Sequence, residues 1–262
     1  MRGGRLVIAL VIALISAVTY FSTTSENPLT GEKQRVALSP EQEIALGYKS
    51  APEMAAQMGG LSRNREAIAL VQRIGERLAR QSIAAKSPYK FSFNVLADPK
   101  TINAFALPGG PIFITEGLLR ALSTEGQVAG VLGHEIGHVI ARHSSERLAK
   151  QQLTQGLLGA LVVGTGDYTT AQIGQVVGGM INMKYGREDE LESDALGIRI
   201  MAEAGYDPRA MINVMDTLAK ASGGSRQPEF MATHPAPENR AERIRAEIQK
   251  RFPDGVPKGL AQ

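Results

Sequence analysis

Two of the four histidines in the chain stand four residues apart with a glutamate between them, His134-Glu135-Ile136-Gly137-His138. The run from Val128 to Ala141 around them is apolar and free of proline, which predicts one continuous helix. At 3.6 residues per turn, positions i and i+4 share a face. His134 and His138 can therefore offer two imidazole nitrogens to one metal ion, with Glu135 one step round. Zinc held by three protein ligands keeps a fourth position for water, whose pKa falls to roughly 7, and a carboxylate beside it can take the proton. The residue types and spacing describe a zinc site with its general base attached. The flanking Val131, Leu132, Gly133, Ile136, Gly137, Val139 and Ile140 are apolar or small nearly all round, so the helix is expected to be buried. Buried histidine and glutamate need partners.

A third protein ligand comes either from a histidine shortly downstream or from a glutamate on a later helix. The downstream pattern needs Gly at 141 and His at 144, where this chain has Ala141 and Ser144. His143 lies nine residues after His134, about 180° round a continuing helix, and is expected to face away. The acidic run Glu188-Asp189-Glu190-Leu191-Glu192-Ser193-Asp194 opens a helix that should stop at Gly205. In it Glu190 and Asp194 share a face, Glu190 to bind metal and Asp194 to fix a histidine tautomer from behind. An acidic first turn complementing the helix dipole accounts for Glu188 and Asp189. Glu192 is expected to face solvent.

Gly133 through Val139, the Arg142-His143-Ser144 that follows, and Glu190-x-x-x-Asp194 together resemble the HtpX and CAAX prenyl endopeptidase family of zinc metallopeptidases (peptidase family M48). Two further segments carry the same likeness. Asn103-Ala104-Phe105-Ala106-Leu107-Pro108-Gly109-Gly110-Pro111-Ile112-Phe113-Ile114-Thr115 is similar to the family's hairpin, whose edge strand lies over the active cleft. Thr233-His234-Pro235, followed by Asn239-Arg240, is similar to its His-Pro motif. The likeness covers roughly residues 35 to 250. It implies an α+β, mainly helical, gluzincin-type domain with a small antiparallel sheet, one Zn2+ per chain, and Glu190 as third ligand. A peptide can then pair with the edge at Asn103, Ala104 and Phe105, an arrangement that reads backbone more than side chains. Glu135 takes a proton from water and returns it to the leaving amine. His234 either donates to the developing oxyanion, caps the metal in a latent form, or is a solvated loop histidine. Arg240 either orients Asp or Glu side chains near the site or makes a helix-surface ion pair.

Ordinary globular composition, 43% hydrophobic and 21% charged, suits one compact domain. A net charge of +3 without a basic block gives no argument for nucleic acid. Zero cysteines exclude disulfides, thiolate ligands and a lipid-modified cysteine, leaving metal chemistry to histidine and carboxylate. Arg2 and Arg5 precede the apolar stretch Leu6 to Phe21, an export signal or, by preference, an uncleaved anchor that leaves the remainder outside the cytoplasm, on the periplasmic side of the cell envelope. The expected organisation is residues 1–25 as signal or anchor, 26–38 as linker and 39–262 as the metallopeptidase domain. Apolar, glycine-rich Leu153 to Gly166 is a buried helix, a cover over the cleft, or a membrane-touching hairpin. The loop Ser222-Gly223-Gly224-Ser225 and Pro235 and Pro237 surround the His-Pro motif with breaker residues. The expected function is hydrolysis of unfolded or misfolded envelope proteins; the alternative is a chaperone-like factor that captures unfolded chains and cuts little. A multi-spanning enzyme is disfavoured by a mean hydropathy of −0.10.

Overall fold

The computed structural model describes residues 2–165, 185–221, 229–234 and 239–262; Gly166, the Ser222-Gly223-Gly224-Ser225 loop, Pro235 and Pro237 lie outside the described residues. The chain opens with α1 (Arg2–Ser22) and a two-stranded antiparallel hairpin, β1 (Thr24–Glu26) and β2 (Lys33–Arg35). Next come α2 (Pro40–Gln57), begun by a Ser39/Gln42 capping box, and α3 (Arg65–Arg80). A sheet follows, built from β3 (Ser92–Leu96), β4 (Ala104–Ala106) and β5 (Pro111–Thr115). The remaining described helices are α4 (Glu116–Ala121), α5 (Glu125–Ile140), α6 (His143–Thr165), α7 (Arg187–Glu203), α8 (Ala210–Ala221), α9 (Glu229–Thr233) and α10 (Arg240–Arg251).

The fold is α+β and mainly helical, and its axis is α5. Thr124 caps this helix with Gln127, and every residue from Gly126 to Ile140 is buried. It runs among α3, α7, α8 and the sheet. The closest approach is to α7. A β-carbon on Gly137 would lie 2.9 Å from the Ser193 carbonyl oxygen, and one on Gly197 would lie 3.2 Å from the His134 nitrogen. Glycines on both helices thus bring the backbones together and set the distance from His134 and His138 to Glu190.

The hairpin forms as expected, β4 antiparallel to β5 with Phe105 opposite Phe113 and their rings stacked at 5.0 Å. Gly109 (φ 78°) and Gly110 (φ 128°) make its turn, a conformation costly for any residue with a β-carbon. The sheet as a whole departs from the antiparallel expectation. Strand β3 pairs parallel with β5, giving the order β3-β5-β4. Chain running from β3 reaches the far edge first, as β4, and returns through the centre as β5, so β3 and β5 point the same way. Strand β4 is left at the edge of this sheet.

Residues between α1 and α2 contribute to the metal helix. Asn27 Nδ2 donates to the Ile140 carbonyl at 2.8 Å and Gln34 Nε2 to the Ala141 carbonyl at 2.7 Å, satisfying acceptors that the end of α5 leaves free. Leu153 to Thr165 continues α6 rather than forming a separate buried helix. It lies antiparallel along α1, with Gly156 against Ser16 and Gly164 against Ala9, while Leu157 and Leu161 are exposed.

Candidate metal centre

Four buried side chains from three separate segments converge beside α5. Ligand atoms of His134, His138, Glu190 and His234 all lie within 4.8 Å of one another. Individual approaches are 3.0 Å from His138 Nε2 to His134 Nε2, 3.4 Å from His138 Nε2 to Glu190 Oε1, and 3.0 Å from His234 Nδ1 to Glu190 Oε1. Three imidazoles and a carboxylate packed this closely make a donor set that suits zinc. The site also carries under-satisfied polar atoms: both carboxylate oxygens of Glu135 and Nε2 of His234 are buried without a hydrogen-bond partner, His234 Nε2 standing 3.5 Å from Glu135 Oε1. Groups so arranged fit a bound cation and its reactants rather than a structural network.

Behind the donors lies a layer that holds them. Asp194 Oδ1 is 2.9 Å from His134 Nδ1, so this ring presents Nε2 to the cluster. Arg240 is buried rather than on the helix surface. Its Nε and Nη2 donate to the two oxygens of Asp194, each at 2.8 Å, and Nη1 lies 3.1 Å from Glu190 Oε2. One guanidinium thus orients the carboxylate at the centre and the carboxylate behind it. A helix-surface ion pair, the other reading of Arg240, does not describe this buried position.

His143 departs from expectation. A continuing helix would carry it away, but α5 ends at Ile140 and Arg142 adopts a left-handed conformation, φ 64°. Its side chain holds that turn, Nε donating to Glu43 Oε1 at 3.1 Å and Nη2 to the Leu38 carbonyl at 2.5 Å. The chain doubles back, and His143 Nδ1 comes 2.9 Å from His138 Nδ1. Glu192, expected in solvent, is partly buried, with Oε2 3.2 Å from His143 Nε2. Tyr185 stacks on His138 at 4.0 Å between ring centroids, and Phe230 stacks on His234 at 4.4 Å. No local pattern marks these aromatic neighbours or His143. A left-handed arginine has no sequence signature, whereas a glycine there would have announced the turn.

Electrostatics follow from burial and opposed charges. Burial raises the Glu135 carboxyl above its ordinary value, which suits a proton acceptor working near neutral pH. Burial also favours the neutral form of Glu190, but His134, His138 and His234 overcome it and hold this carboxyl well below the usual range. Asp194 is likewise lowered against its burial, by Arg240 and His134. Burial pushes His138 well down, leaving it a neutral imidazole.

A cleft opens at His234 and runs between β4, α2 and the start of α6. Asn103, Phe105, Met54, Met58, Arg147 and Tyr185 are among its walls. Asn103 has a buried Oδ1 without a hydrogen-bond partner. Ala104 turns its methyl into the core and has only backbone to offer a ligand.

The sequence pattern of peptidase family M48 matches residues 64–248. The chain is 32% identical over 225 residues to the beta-barrel assembly-enhancing protease of Yersinia pestis, covering 81% of this chain and 45% of that protein. It is 33% identical over 182 residues to the protein of that name from Escherichia coli strain K12, covering 65% and 36%. To the mitochondrial metalloendopeptidase OMA1 of Saccharomyces cerevisiae it is 34% identical over 161 residues, covering 59% and 46%. The chain spans less than half the length of each of these relatives.

Proposed function

The chain belongs to peptidase family M48, and from that premise we propose that it is a zinc-dependent endopeptidase cutting unfolded or misfolded polypeptides in the cell envelope. The observation that carries this reading is the buried His134–His138–Glu190 donor set with the unpartnered Glu135 carboxylate beside it. In it His134, His138 and Glu190 are the metal ligands and Asp194 and Arg240 position them. Zinc bound there supplies Lewis acidity toward water and a substrate carbonyl. Glu135 accepts the proton of the attacking water and later delivers it to the leaving amine. His234 Nε2, 3.5 Å from Glu135 Oε1, stands where it can donate to the developing oxyanion. An extended substrate adds a strand to the β4 edge at Asn103, Ala104 and Phe105, so recognition falls mainly on backbone.

Envelope placement is supported by α1, long and apolar enough to cross a membrane, and by the names of the bacterial relatives. In this reading residues 1–25 anchor the domain at 39–262 on the extracytoplasmic side. The test is Glu135→Gln, which keeps shape but cannot take a proton. It is expected to retain one zinc per chain and to lose casein hydrolysis; cleavage at the wild-type rate would remove Glu135 from the role of base.

A further inference from the structure

Resting on the zinc reading, we propose that His143 and Glu192 are positioning residues for the metal ligand His138, acting through a directed chain of hydrogen bonds. His138 turns Nε2 toward the cluster, 3.4 Å from Glu190 Oε1, and Nδ1 away from it toward His143 Nδ1 at 2.9 Å. To ligate through Nε2 the ring must present a lone pair there, so its proton sits on Nδ1. That proton needs an acceptor, and the facing atom is Nδ1 of His143, which must then be unprotonated. The remaining proton of a neutral His143 is on Nε2, where Glu192 Oε2 accepts it at 3.2 Å. Each link has one donor and one acceptor, and the order runs one way, from His138 through His143 to the carboxylate. Ser193 Oγ also lies 3.3 Å from His143 Nδ1.

The chain parallels the one on the other side of the site, where Asp194 receives the proton of His134 directly. Among the described residues no carboxylate reaches His138 Nδ1, and the reversal of the backbone at Arg142 supplies an imidazole as the bridge. A carboxylate at the far end fixes the tautomer of His143 and, through it, the orientation of His138. His143 itself is buried while Glu192 keeps 28% of its side chain exposed, so the relay ends at the surface.

The test measures zinc affinity by chelator competition on the full chain. Glu192→Ala should weaken zinc binding several-fold and His143→Ala about 10- to 100-fold, the range for partners of ligating histidines. The double variant should bind no more weakly than His143→Ala alone, because Glu192 acts only through that ring. His143→Asn, whose amide oxygen can take the place of Nδ1 as acceptor for His138, should recover part of the loss, which separates positioning from packing. Glu188→Ala, an exposed carboxylate on the same helix, should change nothing. Glu192→Ala matching Glu188→Ala, or losses that multiply in the double variant, would overturn the proposal. A wild-type chain that binds no zinc would instead overturn the metal reading beneath it.

Discussion

Single side chains decide the chemistry here because the site is buried. In the metal-free protein, burial opposes a charge on His134, yet Asp194 and Glu190 prevail and lift its pKa to about 9. Zinc must displace that proton to bind. Below the raised pKa, apparent affinity should therefore climb about tenfold per pH unit, and level off above about pH 9. Chelator-competition titrations across this range check the slope; a flat profile would mean that His134 enters the site already neutral. His234 invites a second measurement, since its two active roles differ in sign. As an oxyanion donor, His234→Ala should lower kcat about 10²- to 10³-fold with zinc retained. A rise in kcat would make His234 a fourth ligand that keeps the enzyme closed, and a kcat within about twofold of wild type would exclude both.

At the scale of elements, the crossing of α5 and α7 sets the reach between ligands. Gly137 allows it: an added methyl there would strike the Ser193 backbone, whereas one on Gly133 would meet the Gly197 carbonyl at 3.4 Å, an ordinary contact. Gly137→Ala should therefore cost about 1–3 kcal/mol of stability through overpacking. It should also weaken zinc binding by pushing Glu190 outward. Gly133→Ala should be neutral or stabilising by up to about 1 kcal/mol, because alanine is the better helix former. Denaturant melts and zinc titrations of the pair test this together. Equal effects would show that the helix spacing is not fixed at Gly137.

For the whole molecule, the open question is what covers α1. Leu6, Val7, Leu10, Leu14, Ile15 and Val18 are all more than half exposed, a continuous apolar face that water disfavours. In the proposed reading a bilayer covers this helix and the arginines at its start orient it. The full chain should accordingly sediment with membranes and resist alkaline extraction, and a chain lacking residues 1–25 should be found in the soluble fraction with casein hydrolysis preserved. Recovery of the full chain in the soluble fraction would refute the anchor.

Local patterns made part of the candidate centre legible, but the meeting of α5, α7 and His234 lies in none of them. Helical period places His134 and His138 on one face and Glu190 above Asp194, capping residues mark where α2 begins, and glycines mark the hairpin turn before β5. Each of these depends on residues within a turn or two of one another, so it is written in the order of the chain. Other features needed the tertiary structure because they rest on contacts between distant residues. Glu43 and the Leu38 carbonyl hold Arg142 in a left-handed turn that its own identity disfavours, and that turn redirects His143. Arg240 is buried only because α10 packs where Asp194 and Glu190 can neutralise it. Strand β3 joins its sheet in parallel because the route of the chain between strands, which alternation cannot reveal, places β5 in the middle.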